Sequence, residues 1–185
     1  GFGAPFPDVS APADVGARVA AGIPPGRYVL WVGSLRAHDP RKALDTLVEA
    51  MAEPGLPATL VLVGAPGAES ARVSALAATR GVRLALPGFV DDAVLAALYR
   101  HAGAVAVPSL HEGFGLPVLE ALACAAPVVA SAVGNIPDLA GDAASLVPPG
   151  DAMALAAALR RMLTDRAHRQ QLATRGPAIA ARHSW

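Results

Sequence analysis

The sequence predicts a doubly wound α/β domain, a parallel sheet of about six strands with helices on both faces. Three observations carry that expectation. Short apolar runs alternate with stretches of helical spacing along most of the chain. The apolar runs do not alternate with polar residues, as strands covered on both faces by helices require. Hydrophobic residues at 54% against 16% charged supply a core large enough for one domain of 185 residues.

Residues 1–27 are rich in Gly and Pro breakers and read as a linker or hinge, with a short helix at 13–20; the domain proper is 28–185. YVLWV (28–32) is the first strand, and a helix over 41–51 places Leu44, Leu47, Val48 and Met51 on one face. Strand 58–64 and a helix over 68–80 follow. Strand 82–86 then leads to a helix over 91–101, with Asp91 and Asp92 where the macrodipole favours acids. Next come strand 103–108 and a helix over 117–124 whose Pro117 suits the first helical position. Strand 126–131, a helical turn at 136–140 and strand 143–148 complete the sheet, and helices over 151–164 and 165–182 close the chain.

Charge and composition exclude several functions. Formal net charge is zero and no block of like charge occurs, which argues against a nucleic-acid or anionic-membrane surface. The single cysteine, Cys124, lies in an apolar run, so no intrachain disulfide forms and a buried, inert thiol is expected. No run reaches the roughly 18 apolar residues of a membrane span. GFGAPFPDVS has neither the basic start nor the apolar centre of a signal peptide, so a reducing, cytoplasmic setting is expected. His38, His101, His111, His168 and His183 are scattered, so no metal site is expected. G-x-S-x-G and GxxxxGK[ST] are absent, which disfavours hydrolase and P-loop chemistry.

Ligands of an open parallel sheet sit beyond the carboxyl ends of its strands, so the loops 33–42, 64–69, 87–92, 108–117, 131–138 and 148–151 come forward. The first, beginning at Gly33, holds the densest positive charge: Arg36, His38, Arg41 and Lys42. Arg41 and Lys42 stand at an expected helix start, where cations are unfavourable unless an anion lies among them; a solvated surface accounts for them equally well. In PSLHEGFGLPVLE, Gly113 and Gly115 precede a helix and let a ligand approach the main chain. A lone GxG is a weak signal, and without GxGxxG a dinucleotide site does not fit. Glu112 lies in this loop, and Glu120 sits among Val118, Leu119, Ala121 and Leu122, where a carboxylate needs a partner. Ligand hydroxyls would serve.

HEGFGLPVLEALACAAPVVAS strongly resembles the signature of retaining glycosyltransferases of family 4, the "glycosyl transferases group 1" type with the GT-B fold. YVLWVGSL…PRKALDTLVEAM resembles that family's first strand, phosphate loop and helix; LPGFVDDAVLAALYRHAGAVAVPS resembles its base loop, helix and strand; VGNIPDLAGDAASLVPPGD resembles the segment after the glutamates. The likeness runs in order from about 28 to 165. It implies that Glu120 accepts hydrogen bonds from a ribose diol and that Glu112 lies against the donor sugar. Gly113, Phe114, Gly115 and Leu116 would offer main chain to the sugar and distal phosphate, with Gly33 in the phosphate loop. Lys42, with Arg36 or Arg41, would neutralise the departing diphosphate. Phe89 and Val90 would line the base. In catalysis itself the resemblance implicates Glu112, Lys42 and Arg36, with no cofactor and no metal in the site.

The first loop is longer than the family's usual form, Asn135 stands where a second glycine is common, and Asp138 where glutamate is common. GFGAPF resembles the family's interdomain hinge and HSW the start of its closing helix. The resemblance therefore implies the donor-binding half of a longer enzyme. An N-terminal acceptor-binding domain would be its partner and GDP-mannose or a UDP-sugar its donor, with no nucleic acid and no transmembrane segment, though peripheral membrane association of the full enzyme is compatible. A non-catalytic nucleotide-sugar-binding module and a GT-B sugar-nucleotide epimerase are the alternatives.

Overall fold

The computed structural model describes residues 21–183. The expected helix at 13–20 and most of the expected linker lie outside the described residues. Six strands form one wholly parallel sheet: β1 (Tyr28–Val32), β2 (Thr59–Val63), β3 (Leu84–Gly88), β4 (Ala104–Val107), β5 (Val128–Ser131) and β6 (Ala144–Val147). Their order is β3-β2-β1-β4-β5-β6, the doubly wound arrangement, with the change of direction between β1 and β4. The helices are α1 (Leu44–Ala52), α2 (Ala68–Thr79), α3 (Asp92–His101), α4 (Leu116–Ala123), α5 (Ile136–Ala140), α6 (Ala152–Thr164) and α7 (Arg166–Ala180). The predicted fold class is the observed one.

The strand period of two divides the core. Val29 and Trp31 of β1, with Leu60 and Leu62 of β2, pack on α1, α2 and α6 through Leu47, Val73 and Leu159. Tyr28 and Leu30, with Val61 and Val63, face the other way onto α3, α4 and α5 through Leu98, Leu122 and Ile136. Helix α7 joins the two layers, since Leu172 belongs to the first and Ile179 packs on the second. Gly176 makes that crossing close: a Cβ there would stand 2.8 Å from the Leu122 carbonyl oxygen. Cys124 is free and buried, and burial pushes its thiol up to about 11, which keeps it protonated and inert at neutral pH.

Two boundaries differ from expectation for identifiable reasons. The helix expected over 41–51 begins at Leu44, because Pro40–Lys42 form a 3-10 turn and Ala43 takes the left-handed conformation (φ 49°, ψ 42°). Arg41 and Lys42 therefore end one turn rather than start a helix, and their conflict with a helix dipole disappears. The strand expected over 82–86 begins at Leu84, because the Val82 N–H closes α2 on the Ala77 carbonyl while the Gly81 N–H bonds that of Ala78. As the sheet edge, β3 is also half-exposed rather than covered on both faces.

Candidate functional site

The loop leaving β1 is fastened along β2 and the start of α2. The N–H groups of Gly33 and Leu35 donate to the carbonyls of Val63 (2.9 Å) and Ala65 (2.9 Å), and Ala68 N–H donates to Arg36 O (3.0 Å). Gly64 lets the two strand ends meet, because a Cβ on it would lie 1.8 Å from Gly33 O. Beyond the loop's far end, Lys42 folds back: its Nζ donates to Ser34 O at 2.7 Å and stands 5.9 Å from the centroid of the Trp31 ring. Arg41 holds Asp39 through Nε (2.9 Å) and Nη2 (2.9 Å), and this pairing lowers the Asp39 pKa and raises that of Arg41. The Arg36 side chain is exposed and forms no ion pair with a described residue. Loop 33–42 thus presents Lys42 and Arg36 while Arg41 is occupied by Asp39.

The loop leaving β4 meets it directly. Leu110 N–H donates to Arg41 O at 2.7 Å. Buried Ser109 donates its hydroxyl hydrogen to Glu112 Oε2 at 3.2 Å, and the Glu112 carboxylate is close enough to contribute to the raised Arg41 pKa. The loop after β5 presses on the same point: at Gly134 (φ 53°) a Cβ would stand 2.3 Å from Glu112 O. Asn135, where a glycine is common, sits in ordinary right-handed backbone (φ −85°, ψ −3°), so Gly134 alone carries the left-handed turn. Gly115, also left-handed (φ 82°), caps α4 by accepting from the N–H groups of Val118 (2.9 Å) and Leu119 (3.2 Å). Among the described residues the N–H groups of Gly115 and Leu116 donate to nothing, which leaves two donors for a ligand at the helix start. Gly113, Phe114 and Leu116 are exposed beside them.

Glu120 is placed differently. One turn into α4, its Oε2 accepts a hydrogen bond from the hydroxyl of Tyr99, a fully buried residue of α3, at 2.8 Å. Burial raises the Glu120 pKa, the Tyr99 bond opposes that rise, and the charge of Asp92 at the start of α3 adds to it. Val90 packs against the second core layer, whereas Phe89 is 80% exposed.

The structure therefore brings Gly33, Arg41, Lys42, Glu112, Gly115 and Leu116 to the carboxyl ends of β1 and β4, at the change in strand order. Glu120, Phe89 and Val90 lie on the α3 side, and among the described residues Glu112 and Glu120 share no hydrogen-bond partner. The partner that a carboxylate in this apolar helix needs is supplied in part from within the protein, because Tyr99 donates to one of the Glu120 oxygens. Sequence reading missed Tyr99, although a tyrosine among the apolar residues of AALYRH signals a buried hydroxyl that needs a partner. It also missed Ser109, for which no sequence signal exists. Among the described residues no three His, Cys, Asp or Glu side chains gather as a metal-ligand set.

A family model described as glycosyl transferases group 1 matches residues 26–165. The chain belongs to that glycosyltransferase family. It is 36% identical to O-antigen chain mannosyltransferase B of Escherichia coli over 165 residues, which covers 85% of this chain and 42% of that protein. It is 39% identical to a D-inositol 3-phosphate glycosyltransferase of Salinispora tropica, covering 95% of this chain and 39% of the relative. Among solved structures, sucrose-phosphate synthase of Thermosynechococcus elongatus superposes with a TM-score of 0.79 at 35% identity, over 92% of this chain and 44% of that one. HepE of Anabaena, in complex with UDP and glucose, superposes with a TM-score of 0.82 at 26% identity, over 95% and 49%. The chain spans under half the length of these relatives. Among the described residues no helix is long and apolar enough to cross a membrane.

Proposed function

We propose that this chain is the donor-binding half of a retaining glycosyltransferase of the GT-B type, working in the cytoplasm. Its donor is a nucleoside-diphosphate sugar, GDP-mannose or a UDP-sugar, and its acceptor is held by an N-terminal domain of the same parent chain. The observation that supports this most is the junction of two loops at the change in strand order, where Leu110 N–H meets Arg41 O beside Lys42, Glu112 and the two unused N–H groups of α4. Anion-binding and hydroxyl-binding groups meet there, which suits a diphosphate joined to a sugar. Solved HepE complexes with UDP and with UDP-glucose favour the same ligand class.

In this reading the diphosphate rests on the N–H groups of Gly115 and Leu116, with Lys42 and an arginine of the first loop across from them. As the bond from the anomeric carbon to the diphosphate oxygen breaks, negative charge grows on that oxygen. The fixed cations and N–H dipoles stabilise it more than they stabilise the bound donor, which lowers the barrier. They do so without a divalent metal. Glu112 faces the donor sugar, Glu120 accepts from the ribose diol with the oxygen Tyr99 leaves free, and Val90 with Phe89 borders the base. The acceptor enters from the other domain with retention at the anomeric carbon.

The test rejoins this chain to the N-terminal half from its parent gene and measures sugar transfer from GDP-mannose and UDP-sugars. Loss of transfer in Lys42→Ala and Glu112→Ala, with the fold intact, supports the enzyme reading. Donor binding without transfer in the rejoined wild type would instead favour a non-catalytic module.

A further inference from the structure

Glu69 is 2% exposed and lies in the first turn of α2, outside every residue assigned to the donor. A carboxylate removed from water this far must be repaid by partners. Arg72 supplies two bonds, Nε to Oε2 at 2.9 Å and Nη2 to Oε1 at 2.8 Å, and His38 Nδ1 stands 3.0 Å from Oε2. Arg72 also pairs with Asp45 on α1. The cluster thus ties α2, α1 and the β1 loop at one buried carboxylate.

His38 is its link to the site. It lies in RAHD, in the first loop, immediately before Asp39. Asp39 accepts the Arg41 N–H (3.1 Å) and so caps the turn Pro40–Lys42, and Lys42 closes the loop onto Ser34 O. The loop's beginning is sewn to β2 through Gly33 and Leu35. Without His38 on Glu69, its later half would be held mainly by exposed groups.

We propose that Glu69, with Arg72 and acting through His38, positions the loop that presents Lys42 to the distal phosphate of the donor. This rests on the donor-binding reading of the site. Glu69 and Arg72 are positioning residues and touch no ligand. The loop is matched to the distal phosphate only when Glu69 anchors it.

The chain as it stands is titrated calorimetrically with UDP, UMP, GDP and GMP, and the diphosphate-to-monophosphate affinity ratio is the readout. Glu69→Gln lowers this ratio about tenfold, the scale of one lost charge-assisted contact, while monophosphate affinity stays near wild type. His38→Ala, at a half-exposed side chain that does not threaten folding, lowers the ratio in the same direction, and His38→Gln restores part of it. A variant that lowers the melting temperature but leaves the ratio unchanged overturns the proposal, since a merely structural cluster weakens both nucleotides alike. Lys42→Ala separates the two levels: if it leaves the ratio at the wild-type value, the donor-binding reading fails and the positioning proposal falls with it. If Lys42→Ala lowers the ratio and Glu69→Gln does not, only the positioning proposal is overturned.

Discussion

The buried hydroxyl of Tyr99 donates to Glu120 Oε2 at 2.8 Å, linking α3 to α4 at the edge of the proposed nucleotide site. With one carboxylate oxygen held from inside the protein, the side chain cannot rotate freely, and its other oxygen accepts from no side chain among the described residues. Tyr99→Phe removes the hydroxyl while keeping the ring. Nucleoside diphosphate binding should weaken about 3- to 10-fold, the worth of one ordinary hydrogen bond, because the bond lost positions the carboxylate and does not itself touch the ligand. Nucleotides lacking the 2′- and 3′-hydroxyls should lose far less. Calorimetric titration of UDP against its dideoxy analogue checks the difference.

Glu120 and Glu69 should give opposite pH signatures. Burial raises Glu120 above the ordinary 4.5, so the folded chain keeps that proton longer than the unfolded one. Its contribution to stability is complete below 4.5 and is lost as pH rises through the raised value. Hydrogen bonds from Arg72 lower Glu69, so its contribution is present above 4.5 and is lost as pH falls through the lowered value. Urea denaturation at steps from about pH 3 to 8 should show Glu69→Gln losing ground as pH rises towards about 4.5, and Glu120→Gln gaining on the wild type as pH rises beyond it.

Gly134→Ala should damage the site through Glu112. A Cβ at 2.3 Å from Glu112 O, on a left-handed backbone, forces either the β5 loop or the Glu112 loop to move. Donor affinity should fall at least about tenfold with a stability loss of only ~1–2 kcal/mol, because the strain is local to two loops. Paired titration and urea denaturation of the variant measure both.

Gly64→Ala should be a stability variant first. Its Cβ would lie 1.8 Å from Gly33 O, between the ends of adjacent central strands, where neither backbone can yield without breaking the Gly33 N–H to Val63 O bond. A loss of ~3 kcal/mol or more is expected from the denaturation midpoint.

Much of this was legible in the residues. Apolar runs such as YVLWV and TLVLV determine a two-sided buried sheet, because no polar face is available to solvent. Sequence order with short connections then placed Lys42 and Glu112 in loops at one sheet edge. What resisted was decided by single backbone angles and by partners distant in sequence. Nothing in PRKALD announces that Ala43 turns left-handed and detaches Arg41 and Lys42 from α1. Glu69 reads as an ordinary acid in a helix's first turn until Arg72, His38 and Asp45 converge on it. Tyr99 and Glu120 are 21 residues apart on different helices, so only packing reveals their bond.

The most direct test of the donor-cleft account is calorimetric titration of this chain with UDP, GDP and their sugars, beside Glu120→Ala and Lys42→Ala. The account predicts saturable binding of at least one nucleoside diphosphate, weakened about tenfold or more in each variant. No heat with any of these nucleotides, or binding that both variants leave unchanged, would contradict it.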